Sequence, residues 1–280
     1  MIDTLYVNGC SWMEGYMLHE EQHVKDHATA KGFEFDGMWN IRKNGEPVPH
    51  TSFKEIYNDF NLPRVIASKL NIPNIYNDAE GAGSNARIVR TTVDYIKKLT
   101  QAEKEKTLVI IGWSLLDRNE IFLEDKAGNS KWCKFNLTQR FSELDHQNLD
   151  PEFVKRIDKF WERYVVDVHS YYYSIKKFFE QSYLLANVLE NNKIKYYFYN
   201  TFSPLWNCES ISNGIDWVSE FSRDIAYYNN NFSACDLTFT FTEFIENIPN
   251  SHLSDRHPNS NGYRAWAEYI LEDMKRKDIV

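Results

Sequence analysis

Leu5-Tyr6-Val7-Asn8-Gly9-Cys10-Ser11 is the stretch whose reading decides the fold. A short apolar run opens directly into Asn-Gly, so it reads as a buried first strand ending in a tight turn. A second run, Leu-Val-Ile-Ile-Gly-Trp at 108–113, is apolar without alternation. That pattern suits a central parallel strand covered on both faces. Further strands are expected at 72–76, 194–201 and, in the run LTFTF, at 237–241. Between them lie segments with helical spacing. Residues 62–70 follow Asn61 as N-cap with Pro63 near the first helical position, and residues 86–99 carry Ile88, Val89, Val93 and Ile96 on one side. Residues 151–191 read as one or two long helices, and a last helix covers about 261–275. Strands separated by helices imply an α/β fold: a three-layer α/β/α sandwich with a central parallel sheet of about five strands. Residues 1–280 are read as one domain with insertions at about 14–60, 117–150 and 203–236, the last holding Trp206 and Cys208.

Composition narrows the function classes. The 280 residues are 42% hydrophobic and 26% charged, which supplies a sizeable core and excludes global disorder. Lys and Arg number 32 against 40 Asp and Glu, a net charge of −8. An acidic chain is not built to bind nucleic acid or to dock on anionic lipid. No stretch approaches the roughly 20 apolar residues that span a bilayer. The N-terminal MIDTLYVNGCSW has neither a basic flank nor a long apolar run, so no secretory signal is expected and the location is read as cytoplasmic. Cys10, Cys133, Cys208 and Cys235 are far apart and form no C-x-x-C pair, which suggests free thiols in a reducing compartment and no structural zinc.

In open parallel sheets the reactive loops lie at the carboxyl ends of the strands. Ser11, the 81–85 turn, Gly112-Trp113-Ser114 and the loop of Asp255 and His257 all belong there. A serine hydroxyl needs an adjacent base to act as nucleophile, and a strand-to-helix turn offers backbone N–H groups to a developing oxyanion. The plain alternative is that Gly-x-Ser is loop punctuation. A histidine needs a carboxylate to fix its tautomer, and Asp255 stands two residues before His257. Here the alternative is an idle loop histidine, and His252 competes for the role. Trp113, Ser114 and Arg118 follow the central strand and are candidates to line a cleft. Arg118 would bind an anionic or sugar group, or else pair with an acid such as Glu120. Tyr171-Tyr172-Tyr173 and Phe178-Phe179 are consecutive, face different sides of a helix and read as packing. His23 and His27 stand at i, i+4 but lack an evident third ligand, so no metal is expected.

Taken together, these segments show a specific resemblance. Asn8-Gly9-Cys10-Ser11-Trp12 resembles the first conserved block of the SGNH/GDSL hydrolase superfamily, and Asn77-Asp78-Ala79-Glu80-Gly81-Ala82-Gly83-Ser84-Asn85 resembles the second. Residues 108–114 stand where the third block follows the central strand. Asp255-Arg256-His257-Pro258-Asn259, with Gly262 after it, resembles the fifth. Gly-Ser-Asn-x-x-Ile-x-x-Thr at 83–91 and Ile-Gly-Trp-Ser at 111–114 are similar to SGNH-like proteins of tailed phages. The resemblance implies a flavodoxin-like fold of SGNH type and a serine esterase acting through an acyl-enzyme. It makes Ser11 the nucleophile, His257 the base and Asp255 its orienting acid. Oxyanion donors would be the N–H of Ser11 and of Gly81 or Gly83. No metal or organic cofactor is implied. The substrate would be a small ester or an acylated carbohydrate, with O-deacetylation favoured. An acyltransferase and a non-catalytic, structural or carbohydrate-binding module, virion-associated if phage-encoded, are the alternatives. The sequence departs from the pattern in three places. Cys10 replaces the usual Asp and is itself a rival nucleophile, although alternation sends it to the opposite side from Ser11. The third-block Asn is replaced by Trp113-Ser114, so Asn85 is the substitute oxyanion donor, against the alternative that it caps the following helix. Asp255 is two residues from His257 rather than three, where Ser254 stands. The Asp255 carboxylate is expected to raise the proton affinity of His257.

Overall fold

The computed structural model describes residues 1–15, 18–36, 41–48, 54–124, 130–136, 150–165, 170–202 and 217–280. Strand β1 (Thr4–Asn8) turns at Gly9-Cys10 into the one-turn helix α1 (Ser11–Glu14). Helix α2 (Gln22–Ala30) and a small antiparallel sheet of β2 (Phe33–Phe35), β3 (Ile41–Lys43) and β4 (Glu46–Pro47) follow. Helix α3 (Leu62–Leu70) starts where its cap dictates, with the Asn61 side chain accepting from the Arg64 N–H. It leads to β5 (Asn74–Asn77), the glycine turn and α4 (Asn85–Lys98), which is capped by Ser84. Next come β6 (Thr107–Trp113), the hairpin of β7 (Asn119–Glu124) and β8 (Ser130–Phe135), and the helices α5 (Pro151–Arg163) and α6 (Tyr171–Asn191). The chain ends with β9 (Lys195–Asn200), α7 (Ser222–Asn231), α8 (Phe241–Glu246) and α9 (Ser260–Arg276).

The main sheet has the order β5-β1-β6-β9 with all pairings parallel. In order of appearance that is 2-1-3-4, the start of the flavodoxin-like doubly wound order. Strand alternation sorts the core into two layers. Leu5, Val7, Leu108, Ile110, Tyr197 and Tyr199 face the cluster built by α3 and α9. Tyr6, Val109, Ile111, Trp113, Tyr196 and Phe198 face the cluster built by α4, α6 and α7. Every residue of β6 is buried, as a strand covered on both faces requires.

Two sequence expectations change. LTFTF does not form a fifth strand. Asp236 Oδ1 accepts from the N–H and hydroxyl of Thr238, so the chain turns there. Thr240 caps α8, leaving only isolated bridges from Ala234 and Thr240 to β9. The insertion at 14–60 contains the β2–β4 sheet, and that at 117–150 contains the β7–β8 hairpin. Trp206 and Cys208 lie outside the described residues. No helix among the described residues is long and apolar enough to cross a membrane.

Candidate active site

Ser11 is the first residue of α1, set there by a turn that admits only glycine at position 9. A Cβ on Gly9 would lie 2.9 Å from both the Gly112 carbonyl oxygen and Met13 Cβ. Cys10 is fully buried in the core beneath, on the far side from the cleft, while Ser11 stays 7% exposed. Its hydroxyl meets His257 Nε2 at 3.0 Å across 246 residues of sequence.

His257 sits on a tight loop between α8 and α9. His252 bridges Pro258, the Leu253 N–H donates to the His257 carbonyl, and the Asn259 N–H to the Ser251 carbonyl. Arg256 takes the left-handed conformation, φ 69°, so the chain doubles back between Asp255 and His257. The Asp255 carboxylate thereby lies 2.8 Å from His257 Nδ1 through Oδ2 and accepts the His257 backbone N–H through Oδ1. The two-residue spacing thus brings Asp255 and His257 together, and Ser254, at the three-apart position, bonds Glu20 instead. His252 lines the same cleft, but its Nδ1 pairs with Ser251 Oγ at 3.0 Å. Burial pushes the His257 proton affinity below its ordinary value and outweighs the opposing pull of Asp255. This reverses the sequence expectation, because removing an imidazolium from water costs more than one partly exposed carboxylate returns.

The expected oxyanion donors are differently employed. The Gly81 N–H donates to Glu14 Oε2 at 2.7 Å, and the Gly83 N–H to the Glu80 carbonyl at 2.8 Å. Asn85 neither caps α4 nor lines the Ser11 cleft. Its amide brackets the Ser114 backbone, Nδ2 donating to the carbonyl at 3.1 Å and Oδ1 accepting the N–H at 2.7 Å. Trp113 is also corrected: it is fully buried, edge-on to Phe178 and Phe198 at 5.7 and 5.3 Å. β6 alternation points it into the α6 layer. Ser114 is buried and accepts at Oγ from Arg118 Nη1, 3.1 Å away. Ser11 keeps its N–H at the start of a helix, where no intrahelical acceptor exists.

A cleft of about 600 Å³ opens over Ser11 and His257, walled by Trp12, Leu115, Phe202, Thr242, Arg118 and Arg256. Trp12 and Phe202 meet edge-to-face at 5.1 Å. The sequence reading missed the carboxylates that hold this site together. Glu20 accepts the N–H and hydroxyl of Ser254, and Glu21 accepts the N–H and hydroxyl of Ser260. Their partners lie more than 230 residues away, so no local spacing announces them. His23 and His27 are engaged by Ser260 and Asp59.

The model of a family of unknown function, DUF6071, matches residues 47–276. No curated protein matches the sequence. Among solved structures, the chain is similar to a member of the lipolytic protein G-D-S-L family from Veillonella parvula, with 13% identity, 98% of each chain covered and a TM-score of 0.46. It is also similar to a psychrotrophic esterase from Pseudoalteromonas, with 9% identity, 98% of this chain and 97% of that chain covered, and a TM-score of 0.43. A family two carbohydrate esterase from Clostridium thermocellum has 10% identity and a TM-score of 0.43, with 99% of this chain and 65% of that chain covered.

Proposed function

The chain belongs to DUF6071, and we propose that it is a serine ester hydrolase working through an acyl-enzyme. The observation that carries the reading is the relay Ser11 Oγ, His257 Nε2, His257 Nδ1, Asp255 Oδ2, with its two contacts of 3.0 and 2.8 Å. In this reading Ser11 Oγ attacks the ester carbonyl carbon while its proton passes to His257 Nε2. Asp255 steadies the imidazolium. The Ser11 N–H at the head of α1 faces the oxyanion. Collapse of the tetrahedral adduct breaks the carbon–alkoxy bond, and Nε2 returns the proton to the departing alcohol. Water, deprotonated by the same nitrogen, then releases the acid and restores Ser11. A sugar hydroxyl in place of that water would make the protein an acyltransferase. An O-acetylated carbohydrate is the favoured substrate, because the Trp12 and Phe202 rings border the cleft beside Ser11.

A second reading has its own observation. With Gly81, Gly83 and Asn85 donating elsewhere, the oxyanion is left short of donors, and each missing donor is worth about 10²–10³ in kcat. That favours a binding module that keeps the fold without turnover. A fluorophosphonate probe separates the two. The hydrolase reading expects mass spectrometry to find the adduct on Ser11, and Ser11→Ala to lower hydrolysis of a short acyl ester by about 10⁴-fold. An unlabelled protein, or an adduct on Cys10, would defeat it.

A further inference from the structure

Arg118 stands at the carboxyl end of β6 and lines the same cleft as Ser11 and His257. Glu120, two residues further on, does not neutralise it. The Glu120 side chain is 2% exposed and accepts Arg90 Nε at 3.0 Å and Nη2 at 2.9 Å. Among the described residues, Arg118 has no carboxylate partner. Its side-chain contacts are the bond to Ser114 Oγ and the Phe202 ring, 5.9 Å from the guanidinium carbon to the centroid. A guanidinium carries five N–H donors in a planar fork, so most of its donors remain for a ligand. Its charge is felt at the reacting end of the cleft, where it disfavours the imidazolium of His257. The groove next to this cleft is also lined by Arg118 and adds the Lys177 ammonium. The chain as a whole carries −8, so no general field gathers anions and recognition of one must be local.

We propose that the ester taken by this site bears a carboxylate, seated on Arg118 beside the scissile bond. The proposal rests on the hydrolase reading for its chemistry, but the recognition it describes can be measured without turnover. An Arg–carboxylate pair in a half-buried cleft is charge-assisted and bidentate, so the acid fixes the position of the ester as well as adding affinity. Bound there, the carboxylate would occupy donors that no protein group on the described surface fills.

Two matched substrate pairs test it: 4-nitrophenyl acetate against the 4-nitrophenyl monoester of succinate, and O-acetylglucose against O-acetylglucuronate. Wild-type protein is expected to favour the acidic member of at least one pair in kcat/KM by about 10- to 100-fold. Arg118→Ala should abolish that preference, and Arg118→Lys should leave part of it. Added salt should shrink it in the wild type, which needs no variant at all. Equal turnover of both members of both pairs overturns the proposal, as does a preference that survives Arg118→Ala. If no ester is turned over, the hydrolase reading falls, and calorimetry on Ser11→Ala decides the recognition by itself. Binding of glucuronate or succinate that is lost when Arg118→Ala is added supports the carboxylate site; no such binding rejects it.

Discussion

His257 is pulled in two directions, and the larger pull sets a measurable pH limb. Burial lowers its proton affinity, Asp255 raises it and Arg118 lowers it further. As the base of the proposed reaction it must be neutral, so the rate is lost as pH falls through its pKa. The acid limb of kcat/KM is therefore expected below the ordinary value of about 6.5. Asp255→Asn removes the one raising carboxylate at Nδ1 and should move the limb to still lower pH while slowing the reaction. A wild-type limb above 6.5, or one that rises in Asp255→Asn, contradicts the arrangement. Asn85 gives a second prediction. Its amide satisfies both backbone groups of Ser114, so Asn85→Ala leaves a buried donor and a buried acceptor unpaired. We expect a loss of about 2–4 kcal/mol in denaturant unfolding, against about 1 kcal/mol for removing the true cap with Ser84→Ala. A larger effect from Ser84→Ala would refute the clamp. At this scale the meeting of Ser11, Asp255 and His257 was legible from the motif resemblance and the chain order. The fates of Gly81, Gly83, Asn85 and Trp113 were not, because each depends on a partner or facing layer that sequence does not reveal.

Elements hold His257 against Ser11 through a pair of adjacent carboxylates. Glu20 and Glu21 precede α2 and grip the two sides of the His257 loop, at Ser254 and at Ser260, where α9 begins. Glu21 also places an anion at the start of a long helix, where the backbone dipole favours it. Replacing both by alanine removes these bonds and should lower unfolding stability by about 1–3 kcal/mol and kcat by several-fold at near-constant KM. Undiminished kcat in a correctly folded double variant would show that the loop holds its own shape. Gly262 adds a steric condition: a Cβ there would come within 2.5 Å of the Ser251 carbonyl oxygen. Gly262→Ala should therefore force α9 away from the loop, lowering the melting temperature along with activity. The helices were readable from their caps and periodicity, Asn61 and Pro63 most plainly. LTFTF misled because β-branched and aromatic composition marks a strand, whereas the Asp236 side chain imposes a turn locally. The β2–β4 sheet escaped notice because its strands are two or three residues long, too short for a period to register.

The molecule as a whole is organised around β6, flanked by β1 and β9 and buried on both faces. Its amides can reach solvent only when both core layers separate. In native-state hydrogen exchange, residues 107–113 should therefore be the slowest group and report the global unfolding free energy. Earlier exchange there than in the β7–β8 hairpin would contradict this packing. The parallel sheet and its two helical layers were visible in the sequence because apolar runs and helix caps are local signals. The tertiary pairings between distant polar residues were not. That separation has a consequence for the life of the chain. The hydroxyl of Ser11 and the imidazole that meets it are made 246 residues apart. A ribosome that has completed the central sheet still holds a polypeptide without that contact. The Ser11–His257 contact closes only after the His257 loop and α9 leave the exit tunnel and dock. A nascent chain abandoned before that point would hold much of its sheet without bringing His257 to Ser11.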